Sequence, residues 1–158
     1  LLASSACGEM LKVVLDKKGE QMAAAQDSIG VVVLEPNKQL LDKLCASSER
    51  VWGQHEVLPR QTGKELALAA ENLNVGLVVV RSSFQRSSAL VQSTLLDLYA
   101  AGTQILVVQD TPFRVSESAW ATVAGIHFLS DRATDDQLHD VLTMALVRHC
   151  MPQLNKLI

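Results

Sequence analysis

Val75-Gly76-Leu77-Val78-Val79-Val80-Arg81 is the stretch that decides the fold. Its apolar part is short, unbroken and rich in valine, which marks a strand buried on both faces. It stops abruptly on a charged residue, Arg81. A strand covered on both faces needs helices above and below it, so the flanking sequence should alternate strand and helix. Upstream come a valine-rich strand over 29–34 and, after the Pro36-Asn37 break, a helix carrying Leu40, Leu41, Leu44 and Cys45. A weaker strand over 55–58 follows, then a helix over 64–73 with Leu66, Ala69, Ala70 and Leu73 on one face. Downstream come a helix over 87–101 closed by Gly102, a strand over 104–108, a short helix over 116–123 around Trp120, and a strand over 126–129. Thr134-Asp135-Asp136 opens the last helix as an N-cap with acids in the first turn. That helix is expected to reach about Cys150, with Pro152 ending or kinking it. The pattern predicts an α/β fold: a five-stranded parallel sheet in a doubly wound, flavodoxin-like (βα)5 arrangement with right-handed crossovers. In such folds the tip of a central strand gathers ligands and catalytic groups, which makes Arg81 the first candidate for function.

Three segments are expected. Residues 1–27 read as an extra N-terminal helix, with Leu2, Met10, Leu11, Val14 and Leu15 leaving room for a stripe that Gly8 and Gly19 weaken. Residues 28–150 form the domain itself. Residues 151–158 read as a linker, in which Leu154, Leu157 and Ile158 could begin a helical connection to an output module. The chain opens on Leu1-Leu2, so a fragment of a longer protein is the expectation.

Of the 158 residues, 48 % are hydrophobic and 20 % charged, enough for one buried core without staples. The net charge of −3 and the lack of a basic cluster argue against direct nucleic-acid binding. No apolar run reaches the ~18 residues of a membrane span. Cys7, Cys45 and Cys150 are odd in number and far apart, so reduced thiols in the cytoplasm are the simplest reading. Cys45 and Cys150 read as buried helix positions without a neighbouring base. His55, His127, His139 and His149 show no metal-ligand spacing, and no cofactor is expected.

Element order and spacing from about 28 to 150 resemble a response-regulator receiver domain. Such a domain carries an acidic pair after its first strand, an acceptor aspartate after its third, a Ser or Thr after its fourth and a lysine after its fifth. The acids bind Mg²⁺, the aspartate takes a phosphoryl group, and the other two sense it. Set on this chain, the acidic pair falls on Leu34-Glu35, the acceptor on Arg81, the hydroxyl on Gln109 and the lysine on Asp131, with no proline after it. A guanidinium cannot accept a phosphoryl group, and Glu35 alone beside an arginine is a poor Mg²⁺ site. The resemblance therefore implies a degenerate pseudo-receiver with no catalysis, acting through protein–protein contacts in signalling. Its expected partners are a second copy of itself, another signalling protein or a linked output domain.

Arg81 and Asp131 exchange the signs that the family pattern assigns, so the expectation is that they pair across the pocket, with Glu35 as second acceptor. The alternative is an Arg81 pointing into solvent. Asp110, before Thr111-Pro112, reads as a turn residue, the alternative being a relocated acceptor or metal ligand. The hydroxyl-rich 82–88 stretch reads as a solvated loop; the competing function, a nucleotide or anion sensor, would use Arg81 or Arg86 there. Trp120 is a candidate interface anchor or a core residue, and His139 and Arg148 should face outward from the last helix.

Overall fold

A computed structural model describes residues 29–53, 55–110 and 124–157. The helices expected over 1–27 and around Trp120 lie outside these residues. Five parallel strands stand in the order β2-β1-β3-β4-β5. They are β1 (Ile29–Leu34), β2 (Glu56–Arg60), β3 (Asn74–Arg81), β4 (Gln104–Gln109) and β5 (Ile126–Ser130). The helices are α1 (Lys38–Val51), α2 (Gly63–Asn72), α3 (Ser82–Ser87), α4 (Ala89–Ala100) and α5 (Asp135–Leu157). The expected doubly wound α/β architecture is present.

The valine runs work because a strand sends alternate side chains to opposite faces. Val31, Val33, Leu77, Val79 and Leu106 pack with α1 and α5 on one face. Val32, Leu34, Val78, Val80, Ile105 and Val107 pack with Leu66 of α2 and Val91 and Leu95 of α4 on the other. Val75 breaks the parity, sharing a face with Val78 and Val80. The reason is a register shift: Gly30 pairs with Val75 but Val31 with Leu77, which skips Gly76 and flips everything after it.

Local signals set the helix ends. The Asn37 side chain accepts from the N–H groups of Gln39 and Leu40 and starts α1. Thr134 and Gln137 satisfy each other's backbone N–H groups and start α5. After α4, Gly102 takes φ +100°, a conformation that closes helices and that side chains disfavour. Pro59 sits in β2, an edge strand, where a missing N–H costs no ladder bond on the open side. Pro152 does not end α5, which continues as helix to Leu157. Among the described residues no helix is long and apolar enough to cross a membrane.

Two features were not legible in the pattern. The stretch after β3 is the short helix α3 rather than a solvated loop, and its Ser82 is buried. Trp52, at the C-cap of α1, is fully buried and donates its indole N–H to the Leu142 carbonyl of α5 at 3.1 Å. His55 and His149 pack on it, with ring centroids 5.3 and 5.4 Å from the indole. This cluster bolts α1 to α5.

The cluster has a pH consequence. Burial, then the proximity of His55, pushes the His149 pKa down from 6.5 to about 4. Between those values the unfolded chain binds the proton and the folded chain does not. Stability is therefore full above pH 6.5 and falls as the pH drops towards 4. By pH 4.5 this group alone is expected to cost about 2–3 kcal/mol. Urea unfolding at pH 7.5 and 4.5 checks it: His149→Phe should remove most of that difference, and an unchanged difference would show that His149 is not its source.

Candidate functional site

The site forms where β1, β3 and β4 end together. Leu34 pairs with Val80, and Arg81 with Val108, so Glu35, Arg81 and Asp110 emerge side by side from adjacent strands. Glu35 is held from below: its N–H donates to the Arg60 carbonyl at 3.0 Å, and its Oε1 accepts from the Asn37 N–H at 3.0 Å. Arg81 meets it with two prongs, Nε to Oε2 at 3.0 Å and a terminal guanidinium nitrogen to Oε1 at 3.0 Å. Only 3 % of the Glu35 side chain is exposed, against 26 % for Arg81. A bidentate pair with a desolvated acceptor is the strong form of this interaction.

Asp110 completes the clasp from the other side. Its Oδ2 lies 3.5 Å from Arg81 Nε. Its oxygens also accept from the Ser82 hydroxyl at 2.9 Å, the Ser83 N–H at 3.0 Å and the Ser83 hydroxyl. Burial alone would raise the Asp110 carboxyl; the hydrogen bonds from Ser83 and Ser82 outweigh it and hold the pKa below the ordinary value. The two serines that begin α3 therefore turn toward a carboxylate and not toward solvent or an anion.

Asp131 does not pair with Arg81. It is exposed, its N–H donates to the Gln109 carbonyl at 2.9 Å, and it shares with Glu35 and Arg81 only the wall of a cavity of about 190 Å³. The strand order explains the correction. β5 stands two strands from β3, roughly 10 Å away, with β4 between. Asp110, on the adjacent strand, takes the place expected for Asp131. The residues after neighbouring strand tips carried the signal: a hydroxyl pair, Ser82-Ser83, beside a lone acid, Asp110.

The other candidates separate from the site. Leu34 is fully buried in the face lined by α2 and α4. Gln109 ends β4 with its Nε2 buried and without a hydrogen-bond partner. His139 is half-buried and Arg148 exposed on α5; Trp120 lies outside the described residues. Burial first, then Glu49 and Asp42, pushes the Cys45 thiol up to about 11, far from a nucleophile. Cys150 is disulfide-bonded, so the reading of reduced thiols holds for Cys45 and fails there.

Mg²⁺ chemistry, implied by the family pattern, does not fit this geometry. Both Glu35 oxygens already face the protein's own cation, and Asp110 is committed to Arg81, Ser82 and Ser83. Among the described residues no group of three or more His, Cys, Asp or Glu could hold a metal ion.

No family model matches the chain, and no curated protein does. Solved structures do. A CheY-like response-regulator receiver domain protein from Methanospirillum hungatei superposes with a TM-score of 0.63 at 14 % identity, over 78 % of this chain and 97 % of that one. A receiver domain protein from Clostridium thermocellum gives 0.61 at 16 % identity, over 78 % and 98 %. The receiver domain of a putative LuxO repressor protein from Vibrio parahaemolyticus gives 0.63 at 14 %, over 79 % and 95 %. By strand order and superposition, this chain has the flavodoxin-like fold of a response-regulator receiver domain.

Proposed function

We propose that the chain is a receiver-like module of a signal-transduction or transcription regulator that has given up phosphotransfer and works without catalysis. It acts by binding protein: a second copy of itself, and another signalling protein or a linked output domain. One observation carries this reading, the clasp of Arg81 by Glu35 and Asp110 at the tip of the central strand. A receiver needs a free carboxylate and a divalent cation there. This chain supplies a fixed guanidinium that satisfies the neighbouring carboxylates permanently, so the site has no second charge state to switch to. The anion-sensing alternative loses one of its two candidate cations to the same geometry, because the Arg81 guanidinium is already paired.

Incubation with acetyl phosphate and Mg²⁺, read by intact-mass spectrometry, tests the proposal. The expected result is no phosphoryl adduct. A single adduct that disappears in Asp110→Asn would overturn it, since Asp110 would then be a relocated acceptor.

A further inference from the structure

A cavity of about 190 Å³ opens at the carboxyl end of the sheet, on the face covered by α1 and α5. Leu40 and Leu44 of α1, Val108 of β4, Leu129 of β5 and Leu138 of α5 wall it. Leu44, Val108 and Leu129 pack against the core on this face yet stay only partly buried, because the cavity lies against them. Their apolar surface remains available to a ligand that would cover it. An apolar cavity of about 150 Å³ takes benzene, so this one has room for a six-membered ring and a short arm.

The charges around the cavity decide what fits it. Arg81 lines it, but its guanidinium is committed to Glu35 and Asp110. Lys43 of α1 lines it too and is paired with Asp135 of α5 at 3.2 Å. Asp131, in the turn between β5 and α5, differs from both. It lines the cavity and is exposed, and its carboxylate has no hydrogen bond or ion pair among the described residues. Both cations of the lining are therefore spent, and one carboxylate is left over. An anion entering the cavity would meet that carboxylate unshielded, whereas a cation would be drawn to it.

We propose that this cavity binds a small primary amine with an apolar body. The ammonium sits on the Asp131 carboxylate, and the body lies against Leu44, Val108 and Leu129. An exposed ion pair contributes little by itself, so the apolar contact supplies most of the affinity and Asp131 supplies the choice of charge. A ligand so placed touches α1, β4 and the turn before α5 at once. It bridges the N-terminal halves of α1 and α5, two helices that Trp52 joins further along through the Leu142 carbonyl. The site is separate from the loss of phosphotransfer at the clasp and stands without it. In a module with no phosphoryl switch, it supplies a small-molecule input that stabilises the ligand-bound arrangement of α1 and α5.

A two-dimensional amide NMR titration of the full chain with benzylamine tests it, with benzyl alcohol and benzoate as neutral and anionic probes of the same shape. Benzylamine should give saturable shifts centred on the amides of Leu44, Leu129, Ser130 and Asp131. Benzyl alcohol should bind about threefold to fivefold more weakly, and benzoate more weakly still. Asp131→Asn should reduce benzylamine to the level of the alcohol. Ala133→Leu, which adds bulk to the lining, should abolish the binding of both. Asp131 is exposed and Ala133 half-buried in the turn before α5, so both variants should keep the wild-type melting temperature. The proposal is overturned by benzylamine shifts that fail to saturate or lie away from the cavity, by benzoate binding as tightly as benzylamine, or by benzylamine binding that Asp131→Asn leaves unchanged.

Discussion

Arg81→Ala is expected to destabilise the domain by about 3 kcal/mol, a fall in melting temperature of roughly 6–12 °C for a chain of this size. The variant leaves Glu35, almost wholly buried, facing Asp110 with no cation between them. Removing one partner of a buried pair exposes the full desolvation cost of the other, which exceeds what the pair contributes net. Arg81→Lys should fall between wild type and alanine, because an ammonium restores charge but not the two-pronged fit to Glu35. Adding Glu35→Gln to Arg81→Ala should recover part of the loss. An Arg81→Ala variant that melts with wild type would mean the clasp contributes nothing and that Arg81 is dispensable to the fold.

Trp52→Ala should cost about 4 kcal/mol, in the range for a large aromatic removed from a close-packed core. Trp52 is fully buried, so the void would open between α1 and α5 with His55 and His149 on its walls. Trp52→Phe keeps most of the volume and deletes the indole N–H that the Leu142 carbonyl accepts. Its expected cost is about 1–2 kcal/mol. Urea unfolding followed by circular dichroism separates the two variants. Equal losses would show that packing is irrelevant at this position and that the hydrogen bond carries the whole effect.

The strands were legible because burial on both faces leaves an unmistakable trace: Val31 to Leu34, Val75 to Val80 and Ile105 to Val107 admit no polar residue. The caps were legible for the same local reason. Thr134 announces α5 through its own side chain, with no help from the rest of the chain. Trp52 was not legible, since its burial is created by α5, some ninety residues later in the chain. At the site, Arg81 and Glu35 could be placed together because both directly follow apolar runs. Their third partner could not. Choosing between Asp110 and Asp131 requires knowing that β4 separates β3 from β5, and the Asp110 environment depends on Ser82 and Ser83 folding into α3 instead of remaining a loop. The fold is written in each strand separately, whereas the site is written in which strands are neighbours.

Under the proposed function, the clasp leaves no switchable carboxylate. A two-dimensional amide NMR titration with Mg²⁺ and beryllofluoride, which mimics a phosphoryl group on a carboxylate, tests it most directly. The expected spectrum does not change, including at the amides of Glu35, Arg81, Ser83 and Asp110. Saturable shifts centred on Asp110, Glu35 or Asp131 would contradict it, because a carboxylate at this strand edge would then still be open to the chemistry that Arg81 is proposed to have replaced.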